Sequence, residues 1–151
     1  MKHKVSELEG ALLDAAVAMA EGRDWSISKE FWPSGRNAMG YVLKVAVCLV
    51  NGKNTNPIGM EGYGTTVFAP SRNWDQGGPI IERERICLIH QAHQKEDVYW
   101  TAAVGPGADF AAFYQYGEDC HQYEGATALI AAMRAYVSSK LGEEVDLPEA
   151  T

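Results

Sequence analysis

The sequence predicts an α+β fold, a mainly antiparallel sheet with an N-terminal and a C-terminal helix packed on one face of it. Three observations lead to this class. An apolar pattern of helical period occupies each end of the chain, short runs with strand character lie between them, and Gly- or Pro-containing turns separate these runs. Since no repeat, linker or low-complexity tract divides the 151 residues, we expect a single domain over 1–151.

The first helix is predicted from apolar residues that recur at helical spacing between Leu8 and Ala20. Ser6 and Glu9 match the capping-box pattern, in which two side chains bond free amides at the helix start. Gly22 is predicted to end the helix, because glycine readily adopts the left-handed conformation that follows a last turn.

Strands are predicted where β-branched and apolar residues concentrate, at 41–50, 63–69, 86–91 and 98–104. Asn51-Gly52 is a favoured hairpin pair, but the polar run after it favours an extended loop over 53–62.

The remaining central segments are less regular. Residues 23–40 and 108–124 show no clear period. A short helix is predicted over 79–84, with Pro79 at its first position, where the missing N–H group has no cost.

The last helix is predicted from an apolar stripe between Leu129 and Leu141, with Thr127 as its N-cap and Gly142 as its terminator. Beyond it, two apolar residues at 145 and 147 alternate with acidic ones and predict a short edge strand.

Charge and composition disfavour several classes of protein. The net charge is −7, which makes nucleic acid or an anionic membrane an unexpected partner, because binding to phosphates depends on basic patches. No apolar run approaches the roughly 18 residues of a membrane span, and no signal peptide is recognisable. Three cysteines, an odd number, fit a reducing compartment, so we expect a cytoplasmic location.

The segment 72–84 contains the pattern most indicative of ligand binding. Its paired glycines precede the predicted helix, where they allow positive φ and close main-chain approach, and amides of a first helical turn favour an anion. An indole adds a stacking surface, an arginine adds positive charge, and two carboxylates offer acceptors to a ribose or a base. The Walker and dinucleotide-binding patterns are absent. The candidate ligand-binding residues are Arg72, Trp74, Asp75, Gly77, Gly78, Glu82 and Arg134.

Each of these assignments has a structural alternative. The glycines and Pro79 can form a simple turn into a helix, with Trp74 in the core. The alternating charges of 82–85 suit a solvated face or an internal ion pair. Arg134 can reach a ligand phosphate or pair with an acid such as Glu82.

Catalytic and metal-binding patterns are weak. His90 and His93, taken with Cys120-His121, resemble a metal set, but the first two would face opposite sides of an extended strand. No nucleophile elbow and no zinc-protease motif is present. We therefore expect no metal and no cofactor, and the sequence favours binding over catalysis.

Three stretches resemble the NinX-like family of small phage proteins, which is recorded as a domain of unknown function. They are the opening Ser6-Glu7-Leu8-x-Gly10 with its continuation to Val17, the central Trp74-x-x-Gly77-Gly78-Pro79 with its continuation to Glu84, and 127–148. The resemblance covers roughly half of the chain and leaves 23–68 and 105–123 unmatched. It implies a phage origin and a host-cytoplasmic setting, and it implies no catalytic mechanism.

The leading functional hypothesis is a non-catalytic, phage-encoded accessory protein that sequesters an anionic, nucleotide-type small molecule, such as a host defence signal. The alternative is a protein–protein interaction module that binds and modulates a host protein, and a nucleotide hydrolase is the weakest option. Self-association is expected for both binding roles, since small domains often build sites across a two-fold axis. Aromatic residues outside clear elements motivate the alternative: Trp25, Phe31, Trp32, Phe110, Phe113, Tyr114, Tyr116 and Tyr123.

Overall fold

A computed structural model describes residues 1–32, 41–50, 53–54, 68–91, 99–105 and 120–147. Within these ranges the chain forms three α-helices, eight strands and one 3-10 helix over Val5–Glu7. The helices are α1 (Gly10–Ala20), α2 (Trp74–Glu84) and α3 (Ala128–Leu141). The strands are β1 (Lys2–Lys4), β2 (Asp24–Trp32), β3 (Tyr41–Val50), β4 (Lys53–Asn54), β5 (Cys87–Gln91), β6 (Tyr99–Val104), β7 (His121–Gly125) and β8 (Glu144–Asp146).

All strand pairs in the described ranges are antiparallel, and they form three sheets. β1 pairs with β8, β2 and β4 flank β3, and β5 and β7 flank β6. Helix α1 packs against β2 and β3, whereas α3 packs against β5, β6 and β7 as well as against α1. The predicted α+β class is confirmed, with the difference that each terminal helix covers a sheet of its own.

The start of the first helix differs from the prediction. Ser6 lies in the 3-10 helix, and α1 begins at Gly10 without any side-chain cap from Glu9. The predicted capping box is therefore wrong. The extra turn instead carries Val5 and Leu8 into the core ahead of the helix, where both are buried.

The end of the first helix follows the prediction. Gly22 has a φ of +71° and donates its N–H to the carbonyl of Met19 at 3.0 Å. The N–H of Arg23 bonds the carbonyl of Ala18 at 3.0 Å, which completes the Schellman pattern.

Three of the predicted strands are present. β3 matches 41–50, and β5 and β6 match the runs at 86–91 and 98–104 to within a residue. The loop predicted over 53–62 is wrong at its start, because β4 pairs with the end of β3 in the register Val50 to Lys53. Asn51 and Gly52, the predicted hairpin pair, lie outside the described residues. The rest of that loop and residues 63–67 of the strand predicted over 63–69 lie outside the described residues, and Phe68 and Ala69 belong to no strand.

Two strands lie in segments whose sequence shows no clear period. β2 pairs with β3 along its whole length, from Asp24 opposite Leu49 to Trp32 opposite Tyr41. β7 pairs with β6, with His121 opposite Val104.

The C-terminal prediction is confirmed at both ends. The Thr127 hydroxyl accepts the N–H of Ile130 at 3.2 Å and caps α3, and Gly142 ends it with a φ of +93°. The edge strand expected around 145 is β8, which places Val145 and Leu147 in the core.

Helix α2 is longer than predicted. It begins at Trp74, five residues before Pro79, and the Asn73 side chain caps it by accepting the N–H of Asp75 at 2.9 Å. Pro79 therefore lies inside the helix, where it cannot donate to the carbonyl of Asp75. Gly78 is well suited to the preceding position, because any β-carbon there would clash with the proline ring in a helical conformation.

A polar cluster joins the three helices at the C-terminal end of α2, and we call it the Tyr136 cluster. Arg83 donates to Glu21 of α1 at 2.6 Å and to the hydroxyl of Tyr136 of α3 at 3.3 Å, and its guanidinium lies over the Tyr136 ring. Glu84 pairs with Arg83 at 3.2 Å and with Lys140 at 3.7 Å. The run 82–85 therefore combines both sequence alternatives, since Arg83 and Glu84 form ion pairs while the residues on either side are exposed.

The Tyr136 cluster predicts a pH dependence of stability. Burial, followed by the charge of Glu21, raises the pKa of Tyr136 to about 12, whereas an unfolded tyrosine titrates near ~10. The folded state therefore favours the neutral phenol. Its contribution is complete below about pH 10 and is lost as the pH rises toward about 12. We expect the unfolding free energy of the wild type to fall more steeply than that of Tyr136→Phe across this window in urea titrations, and equal slopes would contradict the assignment.

The interior side of α2 provides a second prediction. A β-carbon at Gly77 would overlap the Pro70 carbonyl oxygen and would lie 2.6 Å from Cδ2 of Leu129. We expect Gly77→Ala to lower the unfolding free energy by about 1–3 kcal/mol in urea denaturation, since overpacking forces the neighbours apart.

The matched control for this substitution is Gly78→Ala, one residue along. Apart from its two chain neighbours, its β-carbon would meet the Trp74 ring, at 3.9 Å. The helix propensity that it gains is offset by the contact with Pro79, so we expect a change within about 1 kcal/mol. Equal losses in the two variants would show that the interior contact of Gly77 is unimportant.

Candidate functional site

A tight turn over residues 69–73 leads into α2. The N–H groups of Arg72 and Asn73 both bond the carbonyl of Ala69, at 2.9 and 2.8 Å. The Ala69 N–H in return bonds Oε1 of Gln76, at 2.6 Å, in the first turn of the helix. The turn and the start of α2 therefore hold each other in place.

A buried carboxylate anchors this turn to α1. Asp14 is fully buried, and its Oδ1 accepts the N–H of Ser71 at 2.9 Å. Its Oδ2 accepts a guanidinium N–H of Arg72 at 3.1 Å, an ion pair in which the arginine side chain remains 48% exposed. Asp14 thus connects the interior of the protein to a charged group at the surface.

The environment of Asp14 combines opposing effects. Burial raises the pKa of Asp14, and the bonds from Ser71 and the charge of Arg72 oppose that rise. Among the described residues, the buried Ser71 hydroxyl has no hydrogen-bond partner of standard geometry. The carboxylate is costly to bury, and its hydrogen-bond partners in the described part of the chain belong to the turn before α2.

The outward side of α2 carries an exposed indole. Trp74 is 56% exposed, and its ring lies beside Gly78, one turn further along the helix. Asp75, Pro79 and Glu82 share this side by helical spacing, and all three are exposed. We call these five residues the Trp74 face. Asp75 and Glu82 form no ion pair with any other described residue, so negative charge flanks the indole.

The prediction that the paired glycines precede the helix and leave the main chain open to an anion is wrong. Gly77 and Gly78 lie within α2, neither has positive φ, and Gly77 is buried. Three amides near the helix start are already bonded. The Asn73 side chain takes the N–H of Asp75, and the Asn73 carbonyl takes those of Gln76 and Gly77, at 3.1 and 2.9 Å. The alternative with Trp74 in the core is wrong as well, since the indole is exposed.

Arg134 has a different environment from the one expected. Its Nε donates to the carbonyl of Leu8 at 2.8 Å, and a second guanidinium nitrogen donates to the carbonyl of Glu124 at 2.7 Å. Within the described ranges it makes no ion pair with Glu82, so that predicted pairing is wrong. Arg134 joins α3 to the residue ahead of α1 and to β7, and burial lowers its pKa.

The structure therefore brings most of the predicted ligand-binding residues together on one segment, but their contacts differ from those predicted. Arg72 and the Trp74 face form one continuous segment, whereas Gly77 faces the interior and Arg134 bonds elsewhere. Sequence reasoning missed Asp14 and Ser71. The available signal was an acidic residue within the apolar stripe of the first helix, a position where an unpaired charge is unfavourable.

The sequence matches one known protein family over most of its length. The sequence model of the family described as Bacteriophage P22, NinX matches residues 4–140. The chain belongs to this family. The matched range includes Asp14, the turn over 69–73, the whole of α2 and the segments 23–68 and 105–123, which the sequence resemblance had left unmatched. A comparison with curated proteins found no match.

In this NinX family member, the histidines considered as metal ligands have other contacts. Nδ1 of His121 lies 2.8 Å from the hydroxyl of Ser138, which also accepts the Tyr123 hydroxyl at 2.9 Å, and His90 stacks at a tilt on Trp100. No group of three potential metal ligands occurs in the part of the chain that the structure describes. His93 lies outside those residues.

The remaining expectations meet the described residues only in part. None of the helices described is long and apolar enough to cross a bilayer. Of the aromatic residues that motivated a protein-binding role, Tyr123 alone has a described side chain, and it is half-buried and bonded to Ser138. The other seven lie outside the described side chains.

Proposed function

We propose that this phage protein acts by binding, without catalysis, in the host cytoplasm, and that Arg72 and the Trp74 face form its contact surface. The occupant that this surface fits best is a host protein. One observation carries the proposal. Among the described residues, Trp74 and Met1 are the only large apolar side chains that are exposed.

The chemistry of the surface supports a protein partner. Tryptophan and arginine are the residue types most enriched at interface hot spots, and Trp74 and Arg72 lie two positions apart. Asp75 and Glu82 beside the indole favour a partner that presents a cationic or apolar side chain, since an ammonium or guanidinium group binds well to an indole face flanked by carboxylates.

The rigidity of the surface supports the same role. The Asn73 cap, the close contact at Gly77 and the burial of Ile80 fix α2 on the body of the protein. An anchor that is already ordered loses less entropy when a partner binds than one on a mobile segment.

Site-specific photocross-linking tests this proposal. With p-benzoylphenylalanine at position 82, we expect a cross-linked adduct with one host protein in phage host cells, and none with the probe at Gln122, an exposed position of β7. The host protein, identified and purified, should bind the wild type, and Trp74→Ala should weaken its Kd by about 30-fold, the loss typical of a hot spot.

Two results would contradict the proposal. An unchanged Kd in Trp74→Ala would exclude the indole as an anchor. An adduct between two copies of the chain would replace the host protein with a second copy, and would support the self-association expected from the sequence.

A nucleotide-type ligand is the second candidate, and the pairing of an exposed indole with a half-exposed guanidinium favours it. A base stacked on Trp74 would gain about 1–3 kcal/mol, and Arg72 would attract the phosphate. Three amides near the helix start are already bonded within the protein, so this site depends mainly on side chains. Such binding would serve to sequester a host defence signal.

A thermal-shift screen against cyclic and linear nucleotides tests the second candidate. At about 100 times the Kd, a true ligand stabilises the fold by about 2.7 kcal/mol, which raises the Tm by roughly 5–10 °C. Trp74→Ala should abolish the shift. If no nucleotide raises the Tm, the ligand is not of this class. Turnover of a nucleotide by the wild type that is lost in Glu82→Gln would identify a hydrolase instead.

A further inference from the structure

Asp14 occupies an unusual position for a charged residue. It lies in the middle of α1, is 0% exposed, and has buried neighbours along the helix on both sides. A carboxylate in such a position lowers stability unless its hydrogen bonds compensate. Both of its described bonds go to consecutive residues of one turn, to the Ser71 N–H and to the Arg72 guanidinium.

We propose that Asp14 is a positioning residue, which holds the Arg72 guanidinium in one orientation beside the Trp74 face and so prepares the surface for its partner. This inference rests on the proposed binding function. Arg72 uses one guanidinium N–H on Asp14, and its side chain is 48% exposed. A guanidinium has five N–H donors, so most of them remain available for a carboxylate or a carbonyl of the partner.

The bonds around the turn allow the anchor to act on the side chain and not only on the backbone. Six hydrogen bonds involve main-chain groups of 69–73, and none of them involves the Arg72 side chain. The main chain is therefore held without the Arg72 side chain, and the Oδ2 contact of Asp14 restricts the guanidinium itself.

The expected gain is one of preorganisation. An arginine that is free before binding loses rotamer freedom when the partner orders it, at a cost equivalent to about 2- to 10-fold in affinity per side chain. Asp14 removes this loss because the same side chain is already ordered in the free protein.

The first experiment needs no ligand. Side-chain 15N relaxation of the arginine Nε–H groups measures the mobility of each guanidinium, with the Arg72 signal assigned by its loss in Arg72→Gln. We expect an order parameter above about 0.6 for Arg72 in the wild type and below about 0.6 in Asp14→Asn. The asparagine keeps an oxygen for the Ser71 N–H and replaces Oδ2, the acceptor for Arg72, with an uncharged NH2 group, so the backbone amides of the turn should keep their order.

Arg83 provides the matched control, since Glu21 and Glu84 hold it in a comparable way. Its order parameter should be unchanged in Asp14→Asn and should fall in Glu21→Gln, where that of Arg72 is unchanged. Parallel loss at both arginines in Asp14→Asn would indicate general loosening of the fold and would overturn the positioning role.

The second experiment uses the cross-linking probe at position 82 in host cells. We expect Asp14→Asn to lower the adduct yield at limiting expression about as much as Arg72→Gln does, and the double variant to lose no more than either one. If Asp14→Asn fails to fold, Arg72→Gln at a half-exposed position still reports the value of the oriented guanidinium.

The outcomes separate the two proposals. A rigid Arg72 in Asp14→Asn, or an unchanged adduct yield in Asp14→Asn or in Arg72→Gln, overturns the positioning role, even when Trp74→Ala abolishes the adduct and the binding function stands. An unchanged yield in Trp74→Ala overturns the binding function itself, and the positioning role falls with it.

Discussion

The contact between Asp14 and the turn ahead of α2 is the constraint on which the candidate site depends. A carboxylate removed from water must be compensated by donors, and those donors come from a segment more than fifty residues further along the chain. Helix α1, in the core, thereby determines where α2 begins. Because the Asn73 cap follows directly, the position of Trp74 at the surface follows from a bond made in the interior.

The other polar contacts of the three helices have a similar logic. Arg134 bonds main-chain carbonyls of two separate elements, and the Tyr136 cluster joins the C-terminal ends of α1 and α2 to α3. Long side chains thus satisfy groups that the helices and strands leave unpaired, while alanine-rich helix faces pack closely beneath them. The resulting frame presents α2 with one side buried and the other exposed.

Much of the fold could be predicted from local patterns. The C-terminal helix and its caps, the strand at 41–50 and the end of the first helix are determined by neighbouring residues, so sequence reasoning found them. The strand at 24–32 was missed, although Trp25 and Ile27 alternate with serines, because the proline and glycines at 33, 35 and 40 interrupt the period of the segment. The start of α2 was misplaced because Pro79 gave a stronger local signal than the Asn73 cap. The bonds of Asp14 and Arg134 join distant segments, and no local pattern predicts such partners.

Proline at position 79 divides the hydrogen-bond ladder of α2, since it supplies no amide proton to the turn before it. The first turn carries the indole. It is therefore held in place more by the Asn73 cap and by the close fit of Gly77 against Pro70 and Leu129 than by the hydrogen bonds of the helix. A change at Leu129, far along the chain and hidden from solvent, would then be transmitted to the outer surface as increased amide hydrogen exchange in that turn. The exposed indole is in this sense supported from the buried side of α2.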